Sequence, residues 1–157
     1  MDNNAENEKV ITALNKLIVI NNDRIEGYDT ASKETEDEEL KTLFADLAKT
    51  SHTNKEDLVH EVRYMNGKEE EGTRVTGKFF RVWMDVKAAL SGNERKAILE
   101  NCEFGEKVAL DTYETVLVDY HGDLSTEQKT MLNKQMDHLK ADRDHVKRMT
   151  ELASSEK

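Results

Sequence analysis

The chain has 157 residues, 36% of them charged, with a net charge of −10, seven glycines and no proline. That length supports one domain with a real core, and without proline nothing blocks long helices. The acidic balance repels phosphate backbones and anionic bilayer surfaces, which argues against nucleic-acid and membrane partners.

The opening stretch MDNNAENEKV carries acids and amides and no apolar run. No signal peptide is therefore expected, and residues 1–7 read as a flexible, frayed N-terminus. From about Glu8 to Ser32, the residues Val10, Ile11, Leu14, Leu17, Ile18, Ile25 and Tyr28 recur at three- and four-residue spacing, which predicts a first amphipathic helix. A short polar break precedes a second helix, about Asp37 to Met65, striped by Leu40, Leu43, Phe44, Leu47, Leu58, Val62 and Met65. Asn66-Gly67 closes it, with Gly67 expected to take the left-handed conformation. After the charged link KEEEGTRVTG comes a shorter helix over about 75–90, whose stripe is Val75, Phe79, Val82, Trp83, Val86 and Leu90. Ser91-Gly92-Asn93 ends it. A further long helix spans about Glu94 to Tyr120, with Ile98, Leu99, Cys102, Ala109, Leu110, Tyr113, Val116, Leu117 and Tyr120 inward. His121-Gly122-Asp123 turns the chain. Ser125-Thr126-Glu127-Gln128 has capping-box spacing and opens the last helix, which runs to about Ala153.

The expected architecture is all-α, a four-helix bundle over residues 8–153 with a short fifth helix in a long crossover. The first two long helices are joined tightly and so are the last two, which makes each pair antiparallel. Roughly 28 residues separate the pairs, far more than antiparallel neighbours need. The second and third long helices then run parallel, and the chain returns ~40 Å along the bundle between them. One such crossover is the ferritin-like topology. No stretch reaches the ~20 apolar residues of a bilayer span. Cys102 is the sole cysteine, so no internal disulfide can form and a cytoplasmic setting fits.

Projection of each stripe at about 100° per residue places polar residues where core is expected. These are Asn21 on the first helix, Ser51 and Asn54 on the second, Glu106 on the third long helix, and Gln135 and Asp142 on the last. A buried, unpaired amide costs a few kcal/mol and a lone carboxylate more, so interruptions on all four helices point to a shared polar layer. In a di-iron bundle, Glu-x-x-His pairs come from two helices and single acids from the other two. Here Ser51-x-x-Asn54 and Gln135-x-x-His138 stand in the paired places, Glu106 in a bridging place, and Asn21 or Glu26 in the first-helix place. Neutral amides and a hydroxyl compensate little of the charge of two cations. The layer is therefore expected to serve hydrogen bonding and helix register, with Glu106 paired to Arg24, Lys55 or Gln135. His138, Asp142 and His145 share one face and would suit a single Zn²⁺, although a solvated shoulder is the simpler reading. His52 and His60 fall on the outer face, and Cys102 reads as core packing.

The pattern Thr73-x-x-x-Gly77-x-x-x-Arg81-x-Trp83-x-Asp85-x-Lys87-x-x-Leu90-x-Gly92, followed by Ile98-Leu99-x-x-Cys102-Glu103-x-Gly105-Glu106 and Tyr113, resembles a family of bacterial ferritin-like bundle proteins known as a domain of unknown function. Leu14-Asn15-x-Leu17-Ile18, Asp23-x-x-x-Gly27-Tyr28, Leu43-Phe44-x-x-Leu47-Ala48 and Gln135 fit the same pattern, over roughly residues 10–152. The resemblance implies a fold, with a distant similarity to rubrerythrins and bacterioferritins, and no assigned activity. Of those families' iron ligands, only Glu106 and His138 have counterparts here. The expected role is a non-catalytic binding, self-association or stress-related module without cofactor, its partner a protein or another copy. The alternative is a metalloprotein holding iron, manganese or zinc at Glu106 and His138, with Asp142 and His145 as helpers, in oxygen or peroxide chemistry. A further reading makes the polar layer the lining of a small-ligand cavity beneath the Trp83 helix.

Overall fold

The computed structural model of the chain describes residues 2–72, 78–92 and 94–155, with the side chains of 2–4 and 78–80 outside the description. Five helices follow one another in it: α1 (Asp2–Glu34), α2 (Glu38–Tyr64), α3 (Lys78–Ser91), α4 (Arg95–Asp119) and α5 (Thr126–Ser155). The described residues contain no strand, and the fold is all-α. α1 starts at Asp2, six residues before the expected Glu8 and inside the stretch expected to fray. Its first two turns carry no apolar stripe, yet nothing in DNNAEN breaks a helix. α3 starts at Lys78 and not near 75; Val75 lies outside the described residues, as do Thr73, Gly77 and Asn93.

The helix ends follow from local chemistry. Asp37 caps α2, its Oδ1 accepting from the backbone N–H groups of Glu39 (2.9 Å) and Leu40 (3.2 Å). The capping box of α5 is formed: Ser125 Oγ accepts from Gln128 N at 3.0 Å, and Gln128 Oε1 accepts from Ser125 N at 2.8 Å. At the end of α2 the left-handed residue is Asn66, with φ 63°, and not Gly67. Asn66 N donates to Arg63 O and Gly67 N to Val62 O, both at 2.9 Å, which is the two-bond closure of a helix C-terminus. Asn tolerates that conformation. Gly67 serves a close approach instead, because a Cβ there would fall 2.7 Å from Ile11 Cδ1.

Contacts along the helices fix their directions. Arg95 at the start of α4 pairs with Asp37 and Glu39 at the start of α2, so these two helices run the same way. Gln128 at the start of α5 donates to Glu61 Oε2 near the end of α2 (3.0 Å), so α5 runs against α2. Lys16 Nζ donates to Tyr120 Oη at 3.3 Å, joining the first half of α1 to the end of α4. The chain between α2 and α4 therefore travels the length of the bundle. Its first part is tied to α1: Asn15 Nδ2 donates to Lys68 O (3.0 Å), and Asn22 Nδ2 to Gly72 O (3.0 Å). α3 then packs on α4 and α1.

Two apolar clusters fill the bundle. One gathers Leu14, Leu17, Ile18, Leu58, Tyr113, Leu132 and Leu139; the other gathers Tyr28, Phe44, Leu47, Val86, Leu99, Cys102 and Val146. Each fully buried leucine contributes about 1.5–3 kcal/mol. Trp83 touches both clusters, standing edge-on to Tyr28 at 4.8 Å between ring centroids. Gly27 makes room for it, since a Cβ there would lie 1.9 Å from Trp83 Cε2.

Gly27→Ala should therefore destabilise the protein by about 1–3 kcal/mol through overpacking, although alanine is the better helix former by about 1 kcal/mol. Urea unfolding followed by the fluorescence of Trp83, the sole tryptophan, measures this. A gain in stability with unchanged emission would show that the indole does not sit against Gly27.

Candidate functional site

The spacing of residues on α1 brings Asn21, Arg24 and Tyr28 onto one inward face. α2 contributes Ser51 and Asn54, α4 contributes Cys102, Glu106 and Tyr113, and α5 contributes Gln135 and Asp142. Arg24, Ser51 and Glu106 are fully buried.

Arg24 is the centre of the first group. Its Nε donates to Glu106 Oε2 at 3.0 Å and its Nη2 to Glu106 Oε1 at 2.6 Å, a two-pronged match between planar guanidinium and carboxylate. Nη1 donates to Ser51 Oγ. Nη2 also reaches Asp142 Oδ2 at 3.4 Å. Tyr28 Oη donates to Glu106 Oε2 at 2.5 Å, and the guanidinium carbon lies 5.3 Å from the Tyr28 ring centroid. Both Glu106 oxygens are thus taken by donors. Burial opposes the charge on Arg24, but Glu106, Tyr28 and Asp142 outweigh it and hold the guanidinium protonated even more firmly than usual.

A second group lies one turn away on α1 and α2 and two turns away on α4 and α5. Tyr113 Oη accepts from Asn21 Nδ2 at 2.9 Å and donates to Gln135 Oε1 at 2.6 Å. Gln135 Nε2 donates to the Asn54 carbonyl at 3.3 Å. Asn21 Nδ2 also reaches Leu17 O at 2.8 Å. Asn21 Oδ1 and Asn54 Nδ2 have no hydrogen-bond partner among the described residues, and each such group costs about 1–3 kcal/mol.

The expected single layer is thus two stacked networks, one ionic and one of neutral groups. Of the three partners considered for Glu106, Arg24 is the one present; Lys55 is absent from its contacts, and Gln135 is committed to Tyr113 and Asn54. Glu26, considered for the first-helix place, is exposed. His138 and His145 are exposed, and Asp142 is half-buried; of these three, Asp142 reaches the network. His52 and His60 are exposed on α2. Among the described residues, no three His, Cys, Asp or Glu side chains converge on one point. No described helix is long and apolar enough to cross a membrane.

Tyr28 and Tyr113 read as apolar stripe in the sequence, and each hydroxyl takes part in one of the two networks, Tyr28 in the ionic one and Tyr113 in the neutral one. The available signal was positional, since each lies one or two turns from a polar core residue on its own helix. Burial pushes both hydroxyls, and the Cys102 thiol, to higher pKa. None of the three is poised as a nucleophile at neutral pH.

The family described as a domain of unknown function, DUF2383, matches residues 9–119. The chain belongs to this family. The DUF2383 match covers α1 to α4 and so takes in Arg24, Tyr28, Ser51, Asn54, Glu106 and Tyr113. Gln135 and Asp142, on α5, lie beyond it, so the match is shorter than the span of roughly 10–152 expected from the sequence. No curated protein matches the chain.

Asp142 gives the networks a pH dependence. Burial raises its pKa above the ordinary 3.8, against the opposing pull of Arg24. The folded protein then holds this proton more tightly than the unfolded chain does, so stability falls as pH rises from about 4 through the raised value. Asp142→Asn should remove that component. In urea titrations across this range, wild-type stability relative to Asp142→Asn should decline as pH rises; a relative increase would mean that Arg24 favours the carboxylate more than burial opposes it.

Proposed function

We propose that this chain is a ferritin-like bundle in which an arginine has taken the place of the central cations, leaving a non-catalytic module that acts by binding a protein partner or another copy of itself. The helix directions support the ferritin-like part: two antiparallel pairs, α2 parallel to α4, and a crossover between them. The single observation that carries the functional part is Arg24. It is wholly buried and donates two hydrogen bonds to Glu106, the acid that would bridge metal ions in such a bundle.

The residues present do not fit a pair of iron ions. Ser51, Asn54 and Gln135 bring a hydroxyl and two amides to the places where charged ligands would stand. The Arg24 cation would repel a metal at Glu106, and His138 points to solvent-exposed surface. The acidic surface, with its net charge of −10, disfavours nucleic acid and membrane as the partner. The lone buried thiol, Cys102, accords with residence in a reducing cytoplasm.

Elemental analysis tests this reading. The purified chain is incubated with Fe²⁺, Mn²⁺ or Zn²⁺ in turn, then desalted. Far less than one metal ion per chain should remain in each case. Retention of one or two ions of any of the three would overturn it and favour an altered metal centre.

A further inference from the structure

The seam between α1 and α4 is covered along part of its length by α3, which packs on both helices. α3 shows what kind of element this seam accepts. It is an amphipathic helix with Val82 and Val86 buried, Arg81 and Lys87 exposed, and three basic residues in its sequence against one acid. α4, against which it lies, carries six acids and three bases. Elsewhere the seam forms a groove of about 660 Å³ lined by both long helices. Val19, Ile20, Val108 and Val116 give the groove apolar surface. Phe104, at the end nearer the start of α4, is 53% exposed. Tyr120 marks the other end, sixteen residues on, or about 24 Å along the helix.

The charges around this apolar strip are mostly negative. Its lining sets Asp23, Asp111 and Asp119 against Lys16 and Lys107. Both lysines are already engaged within the chain: Lys16 Nζ donates to Tyr120 Oη at 3.3 Å, and Lys107 Nζ lies 3.4 Å from Asp111 Oδ2. Glu100 and Glu114 lie seven residues before and after Lys107, which puts them on the same edge of α4, and both are exposed.

We propose that this groove receives a basic amphipathic helix from a partner protein, laid along the same α1–α4 seam as α3. A groove between two packed helices takes a third helix by its apolar face, through residues recurring at three- and four-residue spacing. About four turns span the groove from Phe104 to Tyr120. Apolar residues of the incoming helix cover Phe104 and Val108, and flanking Lys or Arg side chains face Asp111, Asp119 and Glu114. Opposite charge draws such a partner to this face, whereas a second copy of the chain, itself at −10, is repelled.

This assignment rests on the partner-binding reading of the protein and names the class of partner. Labelled synthetic peptides of about 18 residues serve as probes: Leu and Lys at amphipathic helical spacing, the same pattern with Glu for Lys, and a scrambled Leu and Lys peptide. In fluorescence anisotropy titrations at physiological salt, the amphipathic Lys peptide should bind the full chain one to one, and at least tenfold more tightly than the other two. Phe104→Gln should weaken that binding at least tenfold with unchanged helical circular dichroism. Asp111→Lys combined with Asp119→Lys should weaken the Lys peptide and strengthen the Glu peptide. Equal binding of the scrambled peptide, indifference to Phe104→Gln, or no change of preference in the double variant would each overturn the assignment. So would a wild-type chain that self-associates through Phe104 and ignores the peptides. A chain that retains no metal and binds none of the peptides would overturn the groove's role while leaving the metal-free bundle intact.

Discussion

The interior of this bundle is organised by one charge pair. Arg24 and Glu106 face each other from α1 and α4 with no exposed side-chain surface. Removing two such charges from water costs several kcal/mol each, and the cost is recovered only when geometry is good and the remaining polar atoms are satisfied. Both conditions hold here. The guanidinium meets the carboxylate with two parallel hydrogen bonds, Tyr28 supplies a third donor to Glu106, and Ser51 and Asp142 receive further N–H groups of Arg24. All four long helices contribute to this one site, so the pair sets their register as well as their spacing.

The surrounding packing follows from that constraint. Tyr28 must hold its hydroxyl against Glu106, and its ring is braced by Phe44 on one side and Trp83 on the other. Trp83 belongs to the crossover helix, and Gly27 opens the space it fills. The crossover thus packs against the aromatic support of the buried pair. The neutral network of Asn21, Tyr113, Gln135 and Asn54 repeats the same four-helix junction one to two turns away. Its two amide atoms without partners among the described residues fit a layer that specifies an arrangement more than it adds to stability.

Much of the fold was legible in the sequence, because long helices with period-3.6 stripes and short links leave few alternatives. The capping box at Ser125 and the cap at Asp37 were readable from residue type alone. The end of α2 was read one residue late, because glycine was favoured for a left-handed position that Asn66 takes. The start of α1 was missed because hydrophobic periodicity reports which face is buried, and DNNAEN offers no apolar stripe to read. The polar layer was visible as interruptions of four stripes, but its pairing was not. Periodicity places residues on a face without saying which acid meets which base across the bundle. Arg24 was one of three partners considered for Glu106; its spacing from Asn21 and Tyr28 puts its Cα on the inward face, but a long charged side chain there can equally well extend its head to solvent. The tyrosines were hidden for a related reason, since an aromatic ring on an apolar stripe does not reveal where its hydroxyl points.

A double-mutant cycle between Arg24→Met and Glu106→Leu, read by denaturant unfolding, tests the central claim most directly. Each single change strands a buried charge and should cost about 3–5 kcal/mol, whereas the double change removes both charges and should cost less than either alone. Additive losses, with the double variant as unstable as the sum of the singles, would contradict the account and mean that the two side chains do not depend on each other.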